Sequence, residues 1–363
     1  MDTIAPARAR LHVEATHSDR FERGRLRGEQ LREDFAAAFD TYLQLFAQVG
    51  ITESEARDHA LRSADAVGEW RHGCIDEMGG VAAGAGVDPW QVYALNARTE
   101  ILATSSRALP GECSTIAHRR TEGDGVQTFS VQTWDWHVEL DQYWHTHETR
   151  GGAHDVVGLA EHGMLGKIGM NSAGLATHFN ILGHHTDTVG GVPVHVLAAT
   201  VLEEAGSVAE AVEIIRSAPV SASSALTLLD EDSVTSVEIA GFGVWPIEPV
   251  NGTVVRTNHF LHPQPRDGER GELYQPDSTD RYELVRSRLG YYPAPRQSDD
   301  LPTYLYSDPG QPALCHIPDM TLSLGERWGT LATVVMEPST RSARIAAGTP
   351  ITARAAGWRD LVA

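Results

Sequence analysis

Gly111-Glu112-Cys113-Ser114-Thr115-Ile116-Ala117 divides the chain into two textures. Before it, Leu26, Leu31, Phe35, Phe39, Leu43 and Phe46 recur at helical spacing and predict a helix over residues 23–48. Thr52 and Glu55 form a capping-box pattern that opens a second helix toward Trp70. Asp88-Pro89-Trp90-Gln91 opens another, with Asp as cap, Pro at the first helical position and Gln three residues beyond the cap. That helix is expected to reach about Leu102, and residues 105–111 read as a loop by composition.

After Cys113 the pattern turns to short β-like runs, at 128–134, 155–161, 175–181, 225–230, 234–240, 253–257 and 331–337. Two helices interrupt them. One follows the Ser207/Glu210 capping box through Arg216 and stops at Pro219; the other runs over about 280–289 and stops at Gly290. Groups of strands with helices between them predict sheet layers covered by helices. Residues 262–280, rich in Pro, Asp and Gly, read as an exposed loop.

The 363 residues suffice for one large core or two moderate ones. No run of about 18 apolar residues is present, so no membrane span is expected. The first twenty residues lack the apolar core of a signal peptide and the last four carry no recognisable address, which predicts a cytoplasmic protein. With 29 Lys and Arg against 49 Asp and Glu, the formal charge is −20. No dense basic cluster offers a nucleic-acid footprint. The three cysteines, Cys74, Cys113 and Cys315, lack CxxC spacing, which argues against a disulfide framework or a thiolate zinc site. A lone cysteine is ordinarily a buried, inert side chain.

Cys113 has neighbours that change this. The Gly111–Ala117 stretch, followed by Gln132-Thr133-Trp134-Asp135-Trp136, resembles the acyl-coenzyme A:isopenicillin N acyltransferase family of the N-terminal-nucleophile hydrolase superfamily. The resemblance runs in collinear order through Ile75-Asp76-Glu77-Met78, Gly84-Ala85-Gly86-Val87 and Ala94–Glu100 upstream. Downstream it takes in Gly166–Gly174, Arg256-Thr257-Asn258-His259-Phe260 and Thr330–Glu337. It implies an α+β fold, a four-layer αββα sandwich of two antiparallel sheets between helical layers, with an N-terminal helical segment packed against it.

It also implies a precursor that cuts itself between Glu112 and Cys113. Residues 1–112 then form a mainly helical piece and residues 113–363 the hydrolase core, the two remaining associated. Cys113 becomes the catalytic thiol. Its freed α-amine, with an ordinary pKa of about 7.7–8.0, serves as its own general base. Asp135 is expected to orient that amine, and Asn258 to donate a hydrogen bond to the tetrahedral oxyanion. Thr115 is expected to assist self-cleavage or line the pocket, and Arg281 to act electrostatically or structurally. Trp134, Trp136 and His259 are candidate substrate contacts.

Two departures stand out. Glu112 replaces the Gly that precedes the cysteine in the family's penicillin-pathway enzyme, removing backbone freedom at the scissile bond. Thr133 replaces an Asn, so one hydrogen bond is kept but not the reach of an amide.

The expected reaction is acyl transfer from a small amide or thioester through a thioester on Cys113, with hydrolysis favoured because water needs no second binding site. The expected partner is therefore a small molecule, with no cofactor beyond acyl-coenzyme A as a substrate; the oligomeric state is open. Two other functions compete. His145 and His147 alternate, and with His178, His184, His185 and His195 could serve a metal-dependent hydrolase, although no HExxH pattern exists. A binding protein that keeps the fold but never cleaves is the other, with Glu112 its hint.

Overall fold

The computed structural model describes residues 9–105, 107, 113–123, 125–270 and 277–363. The N-terminal segment begins with a strand, β1 (His12–Thr16), and continues as helices α1 (Arg20–Gln48), α2 (Glu53–Trp70), α3 (His72–Ala85), α4 (Pro89–Asn96) and α5 (Arg98–Ala103). Local signals set several boundaries. Asp19 accepts from the Glu22 N–H to cap α1, and both halves of the Thr52/Glu55 capping box close on α2. The Asp88/Gln91 pattern opens α4 in the same way.

The helix expected from Asp88 to Leu102 is broken at Ala97, whose φ and ψ of −97° and 13° leave the helical region. The neighbouring Asn96 is committed elsewhere: its amide donates to the Val92 and Gly163 carbonyls and its oxygen accepts from the Leu165 N–H.

Helix α3 owes its existence to α1. A Cβ on Gly24 or Gly28 would stand 2.0–2.1 Å from the carbonyl oxygens of Glu77 or Val81, and one on Gly80 or Gly84 would meet those of Phe21 or Arg25 at the same range. The two backbones therefore touch through paired small-residue stripes. A glycine-rich segment with weak intrinsic helicity is stabilised by this contact.

The rest of the chain is mostly sheet. Strands β2 (Cys113–Glu122), β3 (Gly125–His137), β4 (Trp144–Arg150), β5 (Val156–Glu161), β6 (Ile168–Asn171) and β7 (Ala176–Ile181) come first. Helices α6 (Val194–Glu204) and α7 (Val208–Ser217) follow, then β8 (Ser224–Leu229), β9 (Val234–Ala240), β10 (Gly243–Ile247) and β11 (Thr253–Arg256). Helix α8 (Ser278–Tyr291), strands β12 (Trp328–Glu337) and β13 (Ser342–Ala347), helix α9 (Pro350–Ala356) and β14 (Arg359–Val362) complete the order. The loop expected over 262–280 holds a helical turn at Pro263–Arg266, and Ser278 is buried at the start of α8; residues 271–276 lie outside the described residues.

The strands form an eight-stranded sheet, β1-β4-β5-β6-β7-β8-β9-β10, and a six-stranded sheet, β11-β2-β3-β12-β13-β14. Among these strands every ladder is antiparallel but one: β1 runs parallel to β4, which corrects the expectation of two purely antiparallel sheets. The N-terminal segment thus supplies a strand as well as helices. Its distance in sequence from β4 allows the long connection that a parallel pair requires.

The sheets face each other through β2 and β7, and through β13 and β5. Helices α6 and α7 cover the outer face of the first sheet. Helix α8 closes a separate apolar cluster, with Val285 against Ile116, Phe129 and Val131, on the outer face of the second. The α+β sandwich of four layers is the architecture present.

Candidate active site

Residue 113 opens β2 at the end of the second sheet, with Trp134 of β3 as its cross-strand partner. On the other side of β2, Arg256 of β11 pairs with Thr115. Two residues before Thr115 and two after Arg256, the Cys113 N–H donates to Asn258 Oδ1 at 2.9 Å. The Cys113 carbonyl accepts from Asn180 Nδ2 of β7 at 3.1 Å and from Arg281 Nη1 of α8 at 3.3 Å. Four elements thus converge on one backbone unit.

Each of these partners is itself held. Asn258 donates through Nδ2 to the Ile181 carbonyl at 3.0 Å, and its Oδ1 also accepts from Arg281 Nη2 at 3.2 Å. The Asn258 N–H donates to Ser278 Oγ at 2.7 Å. Asn180 Oδ1 accepts from Thr115 Oγ1 at 2.9 Å and from Gln132 Nε2 at 3.4 Å, which turns its amide nitrogen toward Cys113. Gln132 in turn accepts from Phe179 N–H and meets His178 Nδ1 at 3.1 Å, while His178 Nε2 meets Ser130 Oγ at 2.7 Å. Buried polar groups between two sheets are tolerable because each finds a partner.

Cys113 is 5% exposed, and burial, with the Asp135 charge adding to it, pushes its thiol up to about 12; Lys167 and Arg281 pull the other way. The Asp135 backbone N–H hydrogen-bonds the sulfur. A small cavity of about 10 Å³, room for about one water, lies beside the thiol. Its walls are Arg98, Cys113, Trp134, Asp135, Trp136, Lys167, Phe179 and Ile181. Asp135 is 1% exposed, and His316 Nε2 stands 3.9 Å from its Oδ2. The β3–β12 ladder shifts register between Thr330 and Ala332, opposite Asp135 and Trp134, a bulge of the kind that re-aims side chains.

The structure gathers most of the sequence-derived candidates but redistributes their parts. Cys113, Asp135, Trp134 and Trp136 share the cavity. Thr115 lies outside its walls and braces Asn180 instead. His259 also lies outside, held by Ser278 Oγ at 2.8 Å and by Thr257, and burial brings it down to about 3. Thr133 likewise points away, donating to the Leu314 carbonyl at 3.2 Å. Asn258, expected as an oxyanion donor, presents its acceptor to Cys113 and its donor to Ile181; the amide donor that reaches Cys113 is Asn180. Glu112 and most of the preceding loop lie outside the described residues.

Sequence reasoning missed Asn180, Gln132, Arg98, Glu161 and Lys167. Three of these are ionisable and buried, which is unusual without a partner. Among the described residues no group of three or more His, Cys, Asp or Glu could hold a metal ion; His145 and His162 face each other at 3.2 Å without a third ligand. No helix of the described residues is long and apolar enough to cross a membrane.

Residues 120–352, more than half of the chain, match the family described as acyl-coenzyme A:6-aminopenicillanic acid acyl-transferase. Asp135, Asn180, Asn258 and Arg281 fall inside the match, whereas Cys113 and Thr115 precede it. The 40 kDa form of the acyl-coenzyme A:6-aminopenicillanic-acid-acyltransferase of Emericella nidulans is 27% identical over 227 residues. The match covers 61% of this chain and 61% of the length of that curated relative. Similar solved structures include penicillin V acylase from Agrobacterium tumefaciens, at 16% identity and a TM-score of 0.39, covering 65% of this chain and 83% of that one. A single-substitution variant of conjugated bile acid hydrolase from Clostridium perfringens is also similar, at 11% identity and a TM-score of 0.45, covering 68% and 92%.

Proposed function

The chain belongs to the acyl-coenzyme A:6-aminopenicillanic acid acyl-transferase family, and from that membership we propose that it is a self-cleaving amide hydrolase or acyltransferase with Cys113 as nucleophile. The observation that carries the reading is the treatment of the Cys113 backbone. Its N–H and C=O are both engaged by side-chain amides or guanidinium, while its sulfur lies in a cavity with Asp135.

In the first step the Cys113 sulfur attacks the Glu112 carbonyl carbon. The C–N bond to Cys113 breaks, the nitrogen takes up a proton, and a thioester joins Glu112 to Sγ. Water then hydrolyses that thioester, releasing the Glu112 carboxylate and a free Cys113 with an α-amine. On this reading the Asn258 oxygen that accepts the Cys113 N–H goes on to hold that amine, and the Asp135 carboxylate stabilises its protonated form. In turnover the amine takes the thiol proton, the thiolate attacks a small amide, and the proton passes to the departing amine. Hydrolysis of the acyl-thioester completes an amidase cycle; an amine in place of water makes an acyltransferase. Water is the favoured acceptor because it requires no second binding site.

Intact-mass measurement tests this directly. The wild type is expected to resolve into pieces of 1–112 and 113–363, and to turn over at least one member of a small-amide and acyl-thioester panel. Cys113→Ala should persist as a single chain of 39.4 kDa and lose turnover. A Cys113→Ala protein that splits or stays active overturns the reading.

A further inference from the structure

Two cations share the cavity with Cys113 and have no part in the steps above: Arg98 of α5 and Lys167, just before β6. They are 2% and 1% exposed, and both donate to one oxygen, Glu161 Oε1, at 2.7 and 2.6 Å. The other Glu161 oxygen accepts the Tyr42 hydroxyl. One carboxylate therefore balances two buried cations, and the trio keeps one positive charge beside the thiol. The Arg98 guanidinium lies over the Trp136 ring at 4.1 Å and the Lys167 ammonium over the Trp134 ring at 3.9 Å. Trp134 is the cross-strand partner of Cys113, and side chains directly opposite in a ladder share one face. An ammonium seated on that indole is thus on the same side of the sheet as the sulfur.

We propose that Lys167 is the electrostatic positioning residue of Cys113: clamped between Glu161 and the Trp134 face, its ammonium stabilises the thiolate at the moment of attack. The inference rests on Cys113 being the nucleophile. Its particular consequence concerns the uncut chain, in which the nitrogen of Cys113 is still an amide and no α-amine exists to assist. The Lys167 charge is in place before and after cleavage, so it serves both self-cleavage and turnover.

The charged groups facing the pair come from several elements. Asp135 of β3 opposes the thiolate and Arg281 of α8 supports it; Glu161 of β5, Arg98 of α5 and His195 of α6 surround Lys167. Burial lowers Lys167 to about 8 against the pull of Glu161, so its cation predominates at neutral pH. Against a thiol driven up by desolvation and by Asp135, Lys167 is the leading charge acting in the opposite direction.

The test is the pH profile of Cys113 carboxamidomethylation by iodoacetamide, followed by peptide mass so that Cys74 and Cys315 are scored separately, together with the self-cleavage rate by intact mass. In Lys167→Met the alkylation midpoint is expected to rise by about one pH unit, with alkylation at pH 7.5 about tenfold slower and self-cleavage slowed in parallel. Lys167→Arg should return the midpoint to near the wild-type value. If Lys167→Met does not fold, Lys167→Gln, which removes the charge but keeps an N–H donor on the side chain and leaves Glu161 paired with Arg98, carries the same expectation. An unchanged midpoint in a folded variant lacking the ammonium overturns the proposal. That result is separable from failure of the nucleophile assignment, which shows instead as a Cys113→Ala protein that still cleaves.

Discussion

Cys74 and Cys113 are both buried thiols, raised to about 11 and about 12 chiefly by desolvation, and both stand beside buried Arg–Glu pairs. Around Cys74, Arg23 grips Glu77 through two hydrogen bonds of 3.2 and 2.6 Å, and Glu203 takes Arg20 and Arg23 at 3.0 and 2.9 Å. A cavity of about 20 Å³ lies there too, larger than the one at Cys113. The difference is in the backbone. Cys74 sits inside α3, with its N–H spent on the Arg71 carbonyl, and its sulfur hydrogen-bonds with the Arg20 and Thr200 side chains. Cys113 has its N–H and C=O held by Asn258, Asn180 and Arg281, brought from three other elements. Burial and titration do not tell the two thiols apart. Control of the backbone on both sides of the Cα does, because the chemistry proposed for Cys113 converts its nitrogen from an amide into an amine while the rest of the residue must stay in place.

The comparison can be broken most forcefully at Glu77. Glu77→Ala leaves Arg27 buried without its carboxylate and Arg23 with Glu203 alone, and should cost about 3–5 kcal/mol in urea unfolding, while Cys113 alkylation in the folded fraction stays at the wild-type rate. A large change in that rate would mean that the two regions are not separable.

Asn180→Ala acts on the other side. Losing the donor to the Cys113 carbonyl, which fixes the nucleophile's backbone but is not the carbonyl under attack, should slow self-cleavage by about 10²-fold through misplacement of the sulfur, equivalent to about 2.7 kcal/mol of barrier, and leave the exposure of Cys74 to alkylation unaltered. Self-cleavage at the wild-type rate in this variant would remove Asn180 from the site.

The smallest effect concerns acid. Burial holds His178, in the seam beneath Cys113, down at about 3, and also depresses His147 beside the Cys74 cavity. Between about pH 6.5 and pH 3 the unfolded chain binds the protons that these folded imidazoles refuse. Stability is therefore full above about pH 6.5 and declines as the pH falls. The thermal midpoint should drop from pH 6.5 to pH 4, and His178→Gln should flatten that slope by up to one proton, or about 1.4 kcal/mol per pH unit. An unchanged slope would assign the acid sensitivity to other groups.

Elements whose stability is local were legible before any fold was known. The Thr52/Glu55 box opened α2, Asp88-Pro89 opened α4, and the short β-like run at 234–240 is β9 to the residue. Helix α3 was not legible, because His72–Ala85 is glycine-rich and its helicity depends on backbone contact with α1. Strand β1 was hidden for a related reason: five residues ahead of a long helix acquire a partner only when β4 arrives from more than a hundred residues away.

The site divides along the same line. Cys113, Asp135 and Asn258 could be picked out because each sits in a short, ordered string that carries the resemblance, and Arg281 only as a residue at the start of a predicted helix. That Asn180 reaches the Cys113 carbonyl, that Gln132 and Thr115 turn it there, and that Glu161 seats Lys167 over Trp134 emerged only in three dimensions. Local sequence determines where a strand or helix begins, since caps and periodicity act within a few residues. Which side chains share a buried cavity is decided by the stacking of two sheets, where desolvation makes each polar group depend on a partner that chain order does not name.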